Sequence, residues 1–161
     1  MPTVLFVCTA NMCRSPLAEV LFREMLRRGN LQPGWRSESA GVYASDGQPA
    51  TEFSRQVAAE RGLDLSAHRS KSVDAERLRS ADLVLVMEPG HRQALQDEFH
   101  QLAGRVHLLS EVADESGPVE DPVGTTIENY RETADRLTDL LTRGFSRIRT
   151  LAGTRTEGPS R

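Results

Sequence analysis

The chain begins with an unbroken apolar run, Thr3-Val-Leu-Phe-Val-Cys8, rich in β-branched residues. Such a run predicts a strand buried on both faces, as in a parallel sheet. The period then changes. Ser15-Pro16-Leu-Ala-Glu19 starts a helix in which Leu17, Val20, Leu21 and Met25 share a face, and which stops near Gly29-Asn30. Pro16 falls in the first turn, where its missing N–H costs nothing. Trp35 to Ala40 reads as a second strand ended by Gly41, and a helix from about Ala50 to Arg61 terminates at Gly62. A short helix from Val73 to Ala81 feeds a strand from Asp82 to Met87, and Pro89 starts another helix reaching about Phe99. Val106 to Leu109 is the fourth strand. A long amphipathic stretch from Thr126 to Leu151 aligns Ile127, Tyr130, Ala134, Leu137, Leu141, Phe145, Ile148 and Leu151, with Gly144 as a weak point.

Strands alternating with helices imply right-handed βαβ units. The expected fold is α/β, a three-layer doubly wound sandwich with a central four-stranded parallel sheet flanked by helices. A single domain over residues 1–152 is expected. A disordered tail over 153–161 follows, because that segment is small and polar with no apolar anchor.

Composition narrows the function by exclusion. At 161 residues the chain can bury a core without disulfides or metal. Its formal net charge is -3, and its basic residues are scattered arginines apart from Lys71, so no basic field points to nucleic acid or a membrane surface. No apolar stretch is long enough to span a bilayer, and the N-terminus lacks a signal-peptide layout. Two cysteines do not make a secreted disulfide framework, so a soluble cytoplasmic protein is expected, as a monomer or at most a weak dimer.

Chemistry concentrates in the turn after the first strand, Cys8-Thr9-Ala10-Asn11-Met12-Cys13-Arg14-Ser15-Pro16. In an open α/β sheet, ligands bind outside the carboxyl ends of strands. A helix N-terminus there offers unpaired N–H groups and the positive end of the dipole to an anion. Arg14 adds a planar fork matched to phosphate oxygens. Cys8 sits where the same field favours a thiolate, and Ser15 can donate to the sulfur. Asn11 occupies mid-loop, where a left-handed conformation is tolerated.

The segment Val4 to Glu19 closely resembles the active-site signature of the low-molecular-weight protein tyrosine phosphatases. The resemblance extends to Ser39-Ala-Gly41, His68 and Asp121-Pro122, and covers about residues 3 to 150. It implies Cys8 as nucleophile, Arg14 as phosphate clamp and Asp121 as general acid and then base, acting on a phosphorylated protein without metal or cofactor. It further implies Thr9, Ala10, Asn11, Met12, Cys13 and Ser15 as the phosphate loop, with Asn11 and Ser39 as its braces and His68 in the same polar network. Cys13 resembles the family's second loop cysteine, which implies either a reversible disulfide with Cys8 or a passive buried thiol.

Two departures bear on the substrate. Val123-Gly124 follows the Asp-Pro pair where an aromatic wall is usual, and Thr9 replaces a bulky aliphatic residue, so Tyr43 and Val123 become the candidate slot residues. Ser39 to Ser45 and Asp121 to Tyr130 resemble the bacterial protein arginine phosphatases, whereas Met12 stands where that branch has threonine. Phosphotyrosine is therefore the leading substrate reading, with phosphoarginine next. Arsenate reduction would need cysteines beyond Cys8 and Cys13. A non-catalytic anion-binding module would not need both Cys8 and Asp121, and a zinc site would need closer cysteine spacing.

Overall fold

Six consecutive buried residues form the first strand, β1 (Thr3–Cys8), flanked by a neighbour on each side. The computed structural model describes residues 1–101 and 105–157. In chain order the remaining elements are α1 (Arg14–Arg28), β2 (Arg36–Gly41), α2 (Glu52–Glu60), α3 (Ala75–Ser80), β3 (Leu83–Val86), α4 (Pro89–Phe99), β4 (Val106–Leu108) and α5 (Ile127–Glu157). A 3-10 turn over Leu109–Ala113 links β4 to the segment that precedes α5. The four strands form one parallel sheet in the order β2-β1-β3-β4.

That order places the sheet's switch point at β1. The chain leaves β1 for one side of the sheet, at β2, and later returns to the other side, at β3. Parallel crossovers that diverge in this way open a crevice at the carboxyl end of the central strand. Cys8 is the last residue of that strand.

Strand alternation sorts β1 onto two cores. Val4, Phe6 and Cys8 face a larger apolar cluster built with α1, α2 and α5. Leu5 and Val7 face a smaller one with Leu78, Val84, Val86 and Leu95. Phe6 meets Phe22 edge-on at 5.7 Å between ring centroids, and Phe22 meets Phe145 at 5.6 Å, stitching β1, α1 and α5 together.

Local chemistry explains where elements fall short of their predicted limits. The expected helix from Ala50 begins at Glu52 because the Thr51 side chain caps it, accepting from Ser54 N at 3.2 Å. The helix expected from Val73 begins at Ala75 because Asp74 caps it, accepting from Arg77 N at 2.7 Å. Leu109, expected as strand, already belongs to the 3-10 turn. The final helix runs past Leu151 to Glu157 and so takes in the first part of the tail expected from Gly153, and 158–161 lie outside the described residues. Gly144 is a contact rather than a weak point. A Cβ there would sit 2.4 Å from Val112 Cγ2, so glycine lets α5 close on the 3-10 turn.

Candidate active site

The segment from Cys8 to Arg14 joins β1 to α1 around a single left-handed residue, Asn11, with φ of 58°. Asparagine tolerates this conformation, and here its side chain also holds it. Asn11 Nδ2 donates to Ser15 Oγ at 2.8 Å and to Ser39 Oγ at 3.0 Å, while Asn11 Oδ1 accepts from Lys71 N at 3.0 Å. Ser39 Oγ in turn donates to Glu19 at 2.5 Å. The expected braces Asn11 and Ser39 thus belong to one network, and Glu19 and the Lys71 backbone complete it.

The loop carbonyls are drawn outward. Cys8 O accepts from Val42 N at 3.0 Å, Thr9 O from Tyr43 N at 2.9 Å, and Met12 O from Thr51 N at 2.9 Å. His68 Nε2 lies 2.7 Å from Asn11 O, and since a carbonyl only accepts, the proton is on Nε2 and is donated to it. Burial, above all, lowers the His68 pKa from its ordinary value, which favours the neutral ring in this bracing role. With carbonyls committed outside, the loop's N–H groups are left to its concave side. At the start of α1, Cys13 gives no side-chain cap and the first turn holds no acidic residue, so that positive end is also open to an anion.

Around this concavity stand the groups with chemical potential. Cys8 is 3% exposed, with Sγ 2.9 Å from Ser15 Oγ. Arg14, 2% exposed, donates through Nη1 to Val119 O at 2.8 Å and pairs with Glu88 at 3.2 Å. Its other nitrogen, Nη2, lies 3.4 Å from Thr9 Oγ1 and 3.6 Å from Asp121 Oδ2. Asp121 is partly exposed and accepts from Val123 N at 3.1 Å, which closes a tight turn at Asp-Pro. Its loop is anchored by Val119 N donating at 2.8 Å to the carbonyl of Met87, the residue after β3. Burial, above all, pushes the Cys13 thiol up to about 12, and both cysteines are free.

The structure brings Cys8, Thr9, Asn11, Arg14, Ser15, Ser39, His68 and Asp121 into one contiguous site. Met12 and Cys13 complete the loop backbone. Tyr43 and Val123 project as exposed apolar side chains from the two segments bordering it, the first bonded to Thr9 and the second to Asp121. Sequence reasoning missed Glu88 and His91 at the start of α4. Their signal was positional, because they follow the carboxyl end of β3, the strand beside β1. Among the described residues no helix is long and apolar enough to cross a membrane.

Comparisons with known proteins bear on the family and the fold. Residues 3–151 match the family model described as low molecular weight phosphotyrosine protein phosphatase. The chain is 40% identical over 139 residues to the protein-arginine-phosphatase of Bacillus subtilis, covering 86% of this chain and 91% of that one. A low molecular weight protein tyrosine phosphatase from T. tengcongensis superposes with a TM-score of 0.86 at 38% identity, over 91% of this chain and 99% of that one. An arginine phosphatase mutant carrying a phosphorylated active-site serine superposes equally well, at 0.86 and 36% identity, over 92% and 95% of the two chains.

Proposed function

The chain belongs to the low molecular weight phosphotyrosine protein phosphatase family, and on that footing we propose that Cys8 is its nucleophile, Arg14 its phosphate clamp and Asp121 its proton donor. The supporting observation is the outward anchoring of the loop carbonyls around Cys8, which leaves amide donors and Arg14 facing one concavity. The Cys8 thiolate attacks phosphorus in line, and the bond from phosphorus to the leaving group breaks. Asp121 gives its proton to that leaving group. The amides and Arg14 hold the three equatorial oxygens through the transition state. In the second step Asp121 takes a proton from water, the water oxygen bonds to phosphorus, and the sulfur–phosphorus bond of the phosphocysteine breaks. Inorganic phosphate leaves and the thiolate returns. Ser15, 2.9 Å from the sulfur, stabilises the thiolate as it departs.

Phosphotyrosine in a protein is the leading substrate, supported by Met12 in the loop and by exposed Tyr43 as an aromatic surface for the phenyl ring. Phosphoarginine is the second reading, favoured by the 40% identity to the Bacillus enzyme and by Val123-Gly124 after the Asp-Pro pair. A cytoplasmic, reducing setting and a monomeric state suit a nucleophilic thiol in a self-contained site. The test compares kcat/KM on a phosphotyrosine peptide and a matched phosphoarginine peptide, with Cys8→Ser as the blank. A tenfold preference, about 1.4 kcal/mol of transition-state binding, decides between the two. Asp121→Asn is expected to slow both by about 10²–10⁴-fold. No Cys8-dependent turnover of either peptide, or of p-nitrophenyl phosphate, would sink the proposal.

A further inference from the structure

Beside the cradle lies a buried group that the proposed chemistry does not use. His91, in the first turn of α4, is 4% exposed, yet its Nδ1 has no hydrogen-bond partner among the described residues. Its Nε2 lies 2.9 Å from Thr9 Oγ1 and 3.3 Å from Glu88 Oε2. A carboxylate only accepts, and a buried N–H without a partner is rarer than a buried acceptor without one. The proton is assigned to Nε2 on that ground. His91 then donates to the Thr9 hydroxyl with the Glu88 carboxylate beside it.

Thr9 Oγ1 also faces Arg14 Nη2 at 3.4 Å. Both lone pairs of the hydroxyl are therefore occupied by N–H donors, which fixes an otherwise free rotor. The two nitrogens of the Arg14 fork are held differently. Nη1 is anchored by Val119 O at 2.8 Å and by Glu88, whereas Nη2, among the described residues, has Thr9 and Asp121. Asp121 changes protonation during the proposed cycle, so it cannot hold Nη2 in every step. Thr9 is neutral and holds it throughout.

Resting on the proposed role of Arg14 in binding phosphate, we infer that Thr9 and His91 are a positioning pair for the Arg14 fork. His91, braced by Glu88, fixes the Thr9 hydroxyl, and the hydroxyl fixes Nη2 before phosphate arrives. A fork set in advance loses less freedom on binding and keeps its geometry in the transition state. Burial, reinforced by the Arg14 charge, pushes His91 down to about 4, so the ring stays neutral at working pH and does not repel the guanidinium.

The experiment uses Thr9→Val, Thr9→Ser, His91→Phe and the Thr9→Val/His91→Phe double variant. It reads kcat/KM on p-nitrophenyl phosphate, the dissociation constant of inorganic phosphate by calorimetry, and the thermal midpoint. Thr9→Val removes the hydroxyl at constant shape, and it should weaken phosphate binding and lower kcat/KM about tenfold each, with the midpoint little changed. Thr9→Ser should restore both to within about threefold. The double variant should be no worse than the more damaged single one, because the two residues act as a unit. Phosphate affinity unchanged in Thr9→Val, or losses that multiply in the double variant, would overturn the pair. Should His91→Phe fail to fold, the two Thr9 variants still decide. A wild-type chain without Cys8-dependent turnover would instead defeat the phosphatase reading, and the calorimetry would still test the pair.

Discussion

Replacing Asn11 by alanine probes the cradle at its most constrained point. The residue is fully buried, adopts φ of 58°, and makes three side-chain hydrogen bonds. Each such bond contributes about 1 kcal/mol net, and its loss takes from Lys71 N its acceptor, while Ser15 and Ser39 keep their bonds to Cys8 and Glu19. The left-handed backbone costs alanine roughly 1 kcal/mol beyond asparagine. Together these give about 4 kcal/mol. For a chain of this size, 1 kcal/mol moves the thermal midpoint by about 2–4 °C, so a fall of about 10 °C is expected. Asn11→Gly separates the two causes, since glycine accepts the backbone but cannot make the bonds. It should melt about 3 °C above Asn11→Ala while losing catalysis to the same degree. The assay is calorimetric melting beside kcat/KM. A fall of less than 4 °C for alanine, or a glycine variant no more stable than the alanine one, would refute the reasoning.

Three further outcomes follow from particular contacts. His91 is held down to about 4 by burial, against roughly 6.5 when unfolded, so the unfolded chain takes up its proton first. Stability from this site is full above pH 6.5 and is lost as pH falls towards 4, by about 3 kcal/mol in all. The difference in urea midpoint between pH 7.5 and 4.5 should therefore shrink in His91→Phe, and an unchanged difference would contradict the assignment. Gly144→Ala should destabilise by about 1–3 kcal/mol through its contact with Val112, although alanine is the better helix former; a raised melting midpoint would count against it. Cys13, pushed up to about 12 by burial, should resist iodoacetamide at pH 7 while Cys8 is alkylated. Peptide mass mapping that finds label on Cys13 first would reverse this.

Legibility followed the range of the interactions. β1 was readable because burial on both faces leaves no polar residue between Val4 and Cys8, and the cradle because a strand, a loop and a Ser-Pro helix start are contiguous in sequence. Helix limits moved by one or two residues where a single side chain, Thr51 or Asp74, decided the cap. Gly144 was misjudged because helix propensity is local, whereas its value lies in a contact with Val112, 32 positions earlier. Glu88 and His91 escaped notice for a related reason. They reach Arg14 and Thr9 only because β3 lies beside β1, and strand order is not written in either segment alone. Asp121 was placed by resemblance, since Asp-Pro by itself is an ordinary turn.

Gly41 carries a consequence for anyone wishing to move this loop elsewhere. It ends β2, and a Cβ there would lie 2.5 Å from Thr9 O and 3.0 Å from Asn11 N. The seven residues from Cys8 to Arg14 therefore cannot be grafted as a self-sufficient cassette onto another open sheet. The recipient must supply a bare backbone on the adjoining strand at that register, or the transplanted curve will be pushed out of shape by a single methyl group.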